Sequence, residues 1–341
     1  MKLNDHFKKF VGTISLNTTR VSRIESAVSS WDTKFITDEV IKDIYIDYYT
    51  QGSYSTNTGV RPKGEDEFDV DVVLVLDIDE DSDPKDVLHS IKDRIKSYSG
   101  FEDKVKAKSR CVRIEYAGEF HVDVVPALEY GSIIKIPSKQ DGEWKKTNPA
   151  GFTAWCNGIN KESDQYFSKV VKILKHWRDE NVGKDSAPKS ILLTTLVGHA
   201  FVKKASIAET LVETLKEIIS DIESYIAWLV EDDDVPQISN PSLAEENLAR
   251  NWSKKKASRF LNKLRTLKDN CVDALEDDDK ESSIKKWQDI FGKEYFPSEL
   301  GAAKAMATSV RAGAVMVGTS GHLNMEEGTK IKDHRFYGEQ V

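Results

Sequence analysis

The chain has 341 residues, 39% of them hydrophobic and 31% charged, with a formal net charge of −8 at pH 7. This length suits two domains better than one, and the acidic balance excludes bulk affinity for duplex nucleic acid, which draws mainly on Lys and Arg neutralising phosphate. No apolar run approaches the roughly 18 residues needed to span a bilayer, and the opening MKLNDHFKKF lacks a signal peptide's apolar segment, so no membrane association and a cytoplasmic location are expected. Cys111, Cys156 and Cys271 are too far apart for a zinc motif or a disulfide framework and read as reduced thiols.

In chain order, residues 4–30 carry Val21, Ile24 and Val28 near helical spacing, which predicts a long helix. Val40, Ile41, Ile44, Tyr45 and Tyr48 predict another over 38–49, ending by Gly52. Beyond Gly52-Ser53 and a Gly/Pro-containing loop comes EFDVDVVLVL. Glu67, Asp69 and Asp71 occupy every second position there, so in a strand they share one face while Phe68 and Val70 share the other. That face repels itself unless something positive sits on it.

An acidic loop over 77–86 and a helix over 84–98 follow, then extended runs over 111–116 and 119–125 flanking Ala117-Gly118, which read as a hairpin. Glu119, His121 and Asp123 share one face of the second run. Pro137, Pro149 and the polar residues of 131–151 mark a domain boundary, beyond which the pattern is helical over 162–180, 189–203, 207–229, 243–270, 282–291 and 298–316. The 243–270 helix is given a capping box by Ser242 and Glu245. The expected division is a core over 1–150, whose N-terminal helix braces both lobes, a helical domain over 151–325, and a loose tail over 326–341.

A D-x-D on its own reads most simply as a solvated strand face. Here the same strand follows a helix and a Gly-Ser, runs into aliphatic residues, and has a second strand bearing Asp123. Two ions a few ångströms apart need rigid carboxylates, and phosphoryl transfer needs such ions to neutralise a triphosphate and activate a hydroxyl. Asp69, Asp71 and Asp123 would supply them, with Mg²⁺ (Mn²⁺ as an alternative) as the natural pair of hard ions. Gly52 and Ser53 would offer backbone and hydroxyl donors to phosphate oxygens.

The pattern GSYSTNT, EFDVDVVLVL and FHVDVVPAL, with LKHWRDE and NPSLAEENLARNW further on, resembles the nucleotidyltransferases of the DNA polymerase beta superfamily. Within it the chain is similar to the bacterial relatives of cyclic GMP-AMP synthase and oligoadenylate synthetase, the SMODS-type CD-NTases. The resemblance implies an α+β fold: a polymerase-beta-like core with a mixed sheet, plus a C-terminal helical domain. It implies Asp69 and Asp71 as ligands to both metals and Asp123 as a ligand to the ion at the acceptor hydroxyl. Animal cyclic GMP-AMP synthase has an E-F-D ligand pair, so Glu67 with Asp69 stays open as the alternative register.

By the same resemblance Lys175 and Ser190 would hold the donor triphosphate, the latter from a helix N-terminus. The product would be a cyclic di- or trinucleotide signal made from nucleoside triphosphates in defence against phage. A linear oligonucleotide synthetase, or an enzyme modifying another small molecule or protein, would use the same carboxylates. Some relatives have a C-terminus that a conjugating or regulatory partner engages, as KDHRFYGEQV would permit. The basic stretch RNWSKKKASRFLNKLRTLK reads as a solvated helix face.

Overall fold

The computed structural model describes residues 1–62, 67–116 and 120–298, with three two-residue strands between 316 and 330. The fold is α+β. Its main sheet has seven strands: β1 (Tyr45–Gln51), β2 (Phe68–Leu76), β3 (Val105–Ala107), β4 (Val112–Tyr116), β5 (Phe120–Tyr130), β6 (Ile133–Ser138) and β7 (Glu143–Thr147). They run in the order β1-β2-β5-β4-β3, with β6 joining β5 to β7. Only β2 and β5 pair in parallel, so the sheet is mixed about a parallel centre.

Both faces of β2 are covered beyond Asp71, which is why its sequence turns continuously aliphatic there. Phe68, Val70, Val72, Leu74 and Leu76 face a core completed by α2 (Thr18–Thr37) and α4 (Pro84–Lys96), through Ile24, Trp31, Phe35, Leu88, Ile91 and Ile95. Val73 and Val75 face Ala127 and Ile134 on the other side. The carboxylates therefore occupy the one end of β2 that the apolar layers leave open.

The helical half comprises α5 (Pro149–Glu162), α6 (Tyr166–Asn181), α7 (Ser190–His199), α8 (Ile207–Ile226), α9 (Lys254–Glu276) and α10 (Lys280–Phe291). They enclose a second core, which α1 (Asn4–Ile14) enters with Phe7, Phe10 and Ile14. Phe7 packs edge-on against Trp287 with centroids 4.9 Å apart, and Phe10 stacks on Phe291 at 4.9 Å. Among the described residues no helix is long and apolar enough to cross a membrane.

Several expected elements differ. The single helix over 4–30 is two, α1 and α2, broken where Ser15 bridges to Val60 and Asn17 caps the second by accepting from the Arg20 amide at 2.8 Å. The helix over 38–49 is a 3₁₀ turn (Ile41–Asp43) followed by β1. Tyr48 faces one core and Tyr49 the other, so this edge strand lacks the alternation that identifies a half-buried one.

β6 and β7 lie within the 131–151 segment that marks the expected domain boundary, and Pro149 begins α5 at a position where a helix has no use for its amide. Asn148 accepts from the Gly151 amide at 2.9 Å and caps that helix. The sequence SLAEENLARNW does not open a helix: β8 (Ser239–Asn240) and β9 (Leu243–Asn247) make a hairpin, and α9 starts after Ser253. Instead of capping, the Ser242 hydroxyl donates to the Asn148 carbonyl at 2.9 Å and contacts Asn240 Oδ1 at 2.9 Å. The Ala-rich segment 298–316 lies outside the described residues except for its two ends. Its last residue belongs to β10 (Met316–Val317), which pairs antiparallel with β11 (Leu323–Asn324) and β12 (Thr329–Lys330). The rest of the tail beyond 330 lies outside the described residues.

Candidate active site

Strand register brings the acidic residues together. Along the parallel pair, Asp69 sits beside His121 and Asp71 beside Asp123. On the far side of β5, Arg113 of β4 is the cross-strand partner of Asp123. On the near side, Gln51 of β1 pairs with Asp71, which places Gly52 directly against that carboxylate. Gly52 has φ +70, and a Cβ there would stand 2.5 Å from Asp71 Oδ2, so only glycine lets the turn and the carboxylate share this space. Gly52 opens the single-turn helix α3 (Gly52–Ser55).

Above this end of the sheet lies a cavity of about 1550 Å³, bounded on its far side by α6 and α7. Gly52, Ser53, Asp69, Asp71, Lys175 and Ser190 all line it. Asp123 is brought to the same cluster but stands behind it, 6% exposed and absent from the cavity wall. Glu67 is on the wall too, where its carboxylate pairs with His121 Nε2, and the other ring nitrogen of His121 is buried without a partner.

Arg113 is the feature that the motif reading missed. Its Nε donates to Asp123 Oδ1 at 2.8 Å and its Nη2 to Asp123 Oδ2 at 2.7 Å, while Nη2 also reaches Asp69 Oδ1 at 3.0 Å. Among the described residues no three acidic, His or Cys side chains stand as a ready-made metal cluster. Burial, with Asp123 and then Asp69 as like-charged neighbours, pushes the Asp71 carboxyl up to about 6, and Arg113 offsets part of this. Asp71 therefore carries a charge that its surroundings penalise. Three hard oxygen donors around such a residue fit a divalent cation, whose charge would relieve that penalty.

On the far side of the cavity, α6 carries Lys172, Lys175 and Arg178 at spacings of one turn, each under a tenth exposed, and the last two line the wall. Lys175 Nζ donates to the Thr58 carbonyl at 3.1 Å and hydroxyl at 3.0 Å, and Lys172 Nζ donates to Asn57 Oδ1 at 3.0 Å. Both thus grip the turn that follows Gly52-Ser53. Burial foremost, with nearby Arg178, pushes the Lys175 ammonium down to about 7, because none of its hydrogen-bond partners carries a negative charge. Arg178 donates to the Ser190 hydroxyl oxygen at 3.2 Å, which leaves that hydroxyl's own proton free to point elsewhere. Ser190 is the first residue of α7, whose N-cap Lys189 provides no side-chain cap for the helix's first amides.

A mixed sheet that offers carboxylates from two parallel strands beside a Gly-Ser turn, faced across a cleft by a helical half, has the architecture of the polymerase-beta-like nucleotidyltransferase fold. Residues 1–160 match the family described as the Second Messenger Oligonucleotide or Dinucleotide Synthetase domain. The chain is 26% identical to the c-di-GMP synthase of Roseivirga ehrenbergii over 99% of its own length and 98% of that protein's. It is 26% identical to the cyclic AMP-AMP-AMP synthase of an Acinetobacter strain over 86% of each. Among solved structures, the Bradyrhizobium diazoefficiens CD-NTase CdnG in complex with GTP superposes with a TM-score of 0.70 at 17% identity, covering 89% of this chain and 97% of that one. The chain is thus similar along most of its length to synthases of cyclic oligonucleotides, and it shares the fold of a CD-NTase.

Proposed function

We propose that the cavity joins nucleoside triphosphates into a cyclic di- or trinucleotide through Asp69, Asp71 and Asp123, as part of a defence against phage. The observation that carries this reading is the register of β2 on β5, which sets Asp71 beside Asp123 under a cavity that Gly52, Ser53, Lys175 and Ser190 also reach. Asp69 and Asp71 would hold two Mg²⁺ ions and Asp123 the one nearer the acceptor. When bound, the ions would neutralise triphosphate charge and acidify the attacking ribose hydroxyl.

The chain's own groups do the positioning. Gly52 lets backbone come close to the donor phosphates, Ser53 offers its hydroxyl, and the first amides of α7 with Ser190 face the same anion. Lys175 would exchange its neutral Thr58 partners for phosphate oxygens and be charged there. The acceptor hydroxyl attacks the donor α-phosphorus and pyrophosphate leaves. The linear product then turns over within a cavity of about 1550 Å³ and presents its remaining hydroxyl and triphosphate.

Incubation with mixed labelled nucleoside triphosphates and Mg²⁺, then alkaline phosphatase and mass spectrometry, tests this. A closed ring has no terminal phosphate monoester, so the label should resist removal. Chains of graded length that phosphatase trims, or label only on an added small molecule or protein, would refute ring closure.

A further inference from the structure

Both oxygens of Asp123 are taken by one guanidinium, whose outer nitrogen also holds Asp69. The Asp123 side chain is 8% exposed and that of Arg113 21%. Water therefore does little to weaken the pair. A guanidinium keeps its proton throughout the accessible pH range, so this positive charge cannot be titrated away and leaves only by moving. A divalent cation ligated by Asp123 would lie within hydrogen-bond reach of it, and like charges at that distance exclude one another.

We infer that Arg113 is the resident counter-ion of the carboxylate cluster, and that the ion completed by Asp123 binds by exchange with its side chain. This rests on the metal-site reading above. Arg113 is a positioning residue: it holds Asp123 in register and folded against the sheet while no ion is bound, then yields the carboxylate. Occupancy at Asp123 is thereby set against a competing charge built into β4, whereas the ion between Asp69 and Asp71 has to break only the 3.0 Å contact.

The test is Mn²⁺ binding to the metal-free full chain without nucleotide, followed by electron paramagnetic resonance of the free ion. Arg113→Met should bind Mn²⁺ at least about tenfold more tightly than wild type, with Arg113→Lys between them, because a lysine retains charge but not the fork. Arg20→Met removes a cation from the wall of the same cavity and should change affinity less than about twofold, which separates the contact from general electrostatics. In wild type, Mg²⁺ should also shift the Arg113 Nε–H resonance in ¹⁵N NMR, a measurement that needs no variant. Unchanged or weaker Mn²⁺ binding in both Arg113 variants, or a static Arg113 resonance at saturating Mg²⁺, overturns the exchange. Asp71→Asn leaves the Arg113 contacts in place and should bind Mn²⁺ at least about tenfold more weakly; wild-type affinity there would sink the metal-site reading itself.

Discussion

Lys175→Met should make the metal-free protein respond differently to pH. The ammonium is 3% exposed, its bonds go to a carbonyl and a hydroxyl, and its pKa is pushed down to about 7 from 10.5. The folded pKa is the lower one, so between these values the unfolded chain binds one more proton than the native chain, and stability rises with pH. At about 1.4 kcal/mol per unit, and half that slope near the folded value, the wild type should gain about 2 kcal/mol between about pH 7 and about pH 9 from this group. Below about pH 7 the contribution is flat, because both states are protonated.

The methionine removes that slope. It also strands the Thr58 carbonyl, a loss of about 1–3 kcal/mol that does not depend on pH, so the offset between the two proteins and the slope between them report different things. Urea denaturation of wild type and Lys175→Met at half-unit pH steps, taken as a difference, isolates the lysine from every group the two share, including the neighbouring buried Lys172. Parallel stability curves from about pH 7 to about pH 9 would refute the argument, since they would mean that Lys175 is charged in the folded protein at neutral pH.

The two deeper carboxylates should respond with opposite sign. Asp71→Asn relieves a penalised charge and should stabilise the metal-free protein above about pH 6, by up to about 3 kcal/mol, with the gain fading as pH falls toward the ordinary carboxylate range; melting temperatures from differential scanning fluorimetry at two pH values read this. Asp123→Asn breaks a bidentate, largely buried pair with Arg113 and should cost about 3 kcal/mol in the same assay, although both variants should lose nucleotide transfer. Gly52→Ala must carry a side chain at φ +70 and push against Asp71 Oδ2, so it should lose roughly 1–2 kcal/mol of stability and weaken donor triphosphate binding in calorimetry; wild-type binding there would contradict the role of the turn.

Much of the fold is legible wherever one physical period dominates. β2 announces itself because its carboxylates alternate with Phe68 and Val70 and then both faces close over it, and α6 and α8 because one stripe of each is apolar and buried. Legibility fails where two patterns coincide. Residues 40–48 satisfy helical spacing, but Tyr48 and Tyr49 insert into different cores on opposite faces of a strand. Ser242 and Glu245 have the spacing of a capping box, yet the serine hydroxyl is drawn to its neighbour Asn240 and to the Asn148 carbonyl, 94 residues away, which no local rule names. Pro149 reads as part of a domain boundary and is the first residue of α5.

In the site, residue types were readable and pairings were not. Each candidate came from chemistry that its residue type carries alone: carboxylates for ions, glycine for close approach, a helix start for phosphate. Arg113 has no such signature, since RCVRIEY is an ordinary half-buried strand. It becomes visible only through register. A hairpin turning on the two residues Ala117-Gly118 would pair Tyr116 with Glu119 and put Arg113 opposite Val122. The observed register pairs Tyr116 with Phe120 and Arg113 with Asp123. Because side chains alternate faces, that single residue of slip decides whether a guanidinium meets the apolar core or the carboxylate cluster. The cost of placing a charge on the face of Val122 and Val124, both fully buried, excludes the first arrangement. The electrostatics of the site therefore help to set the register that builds it.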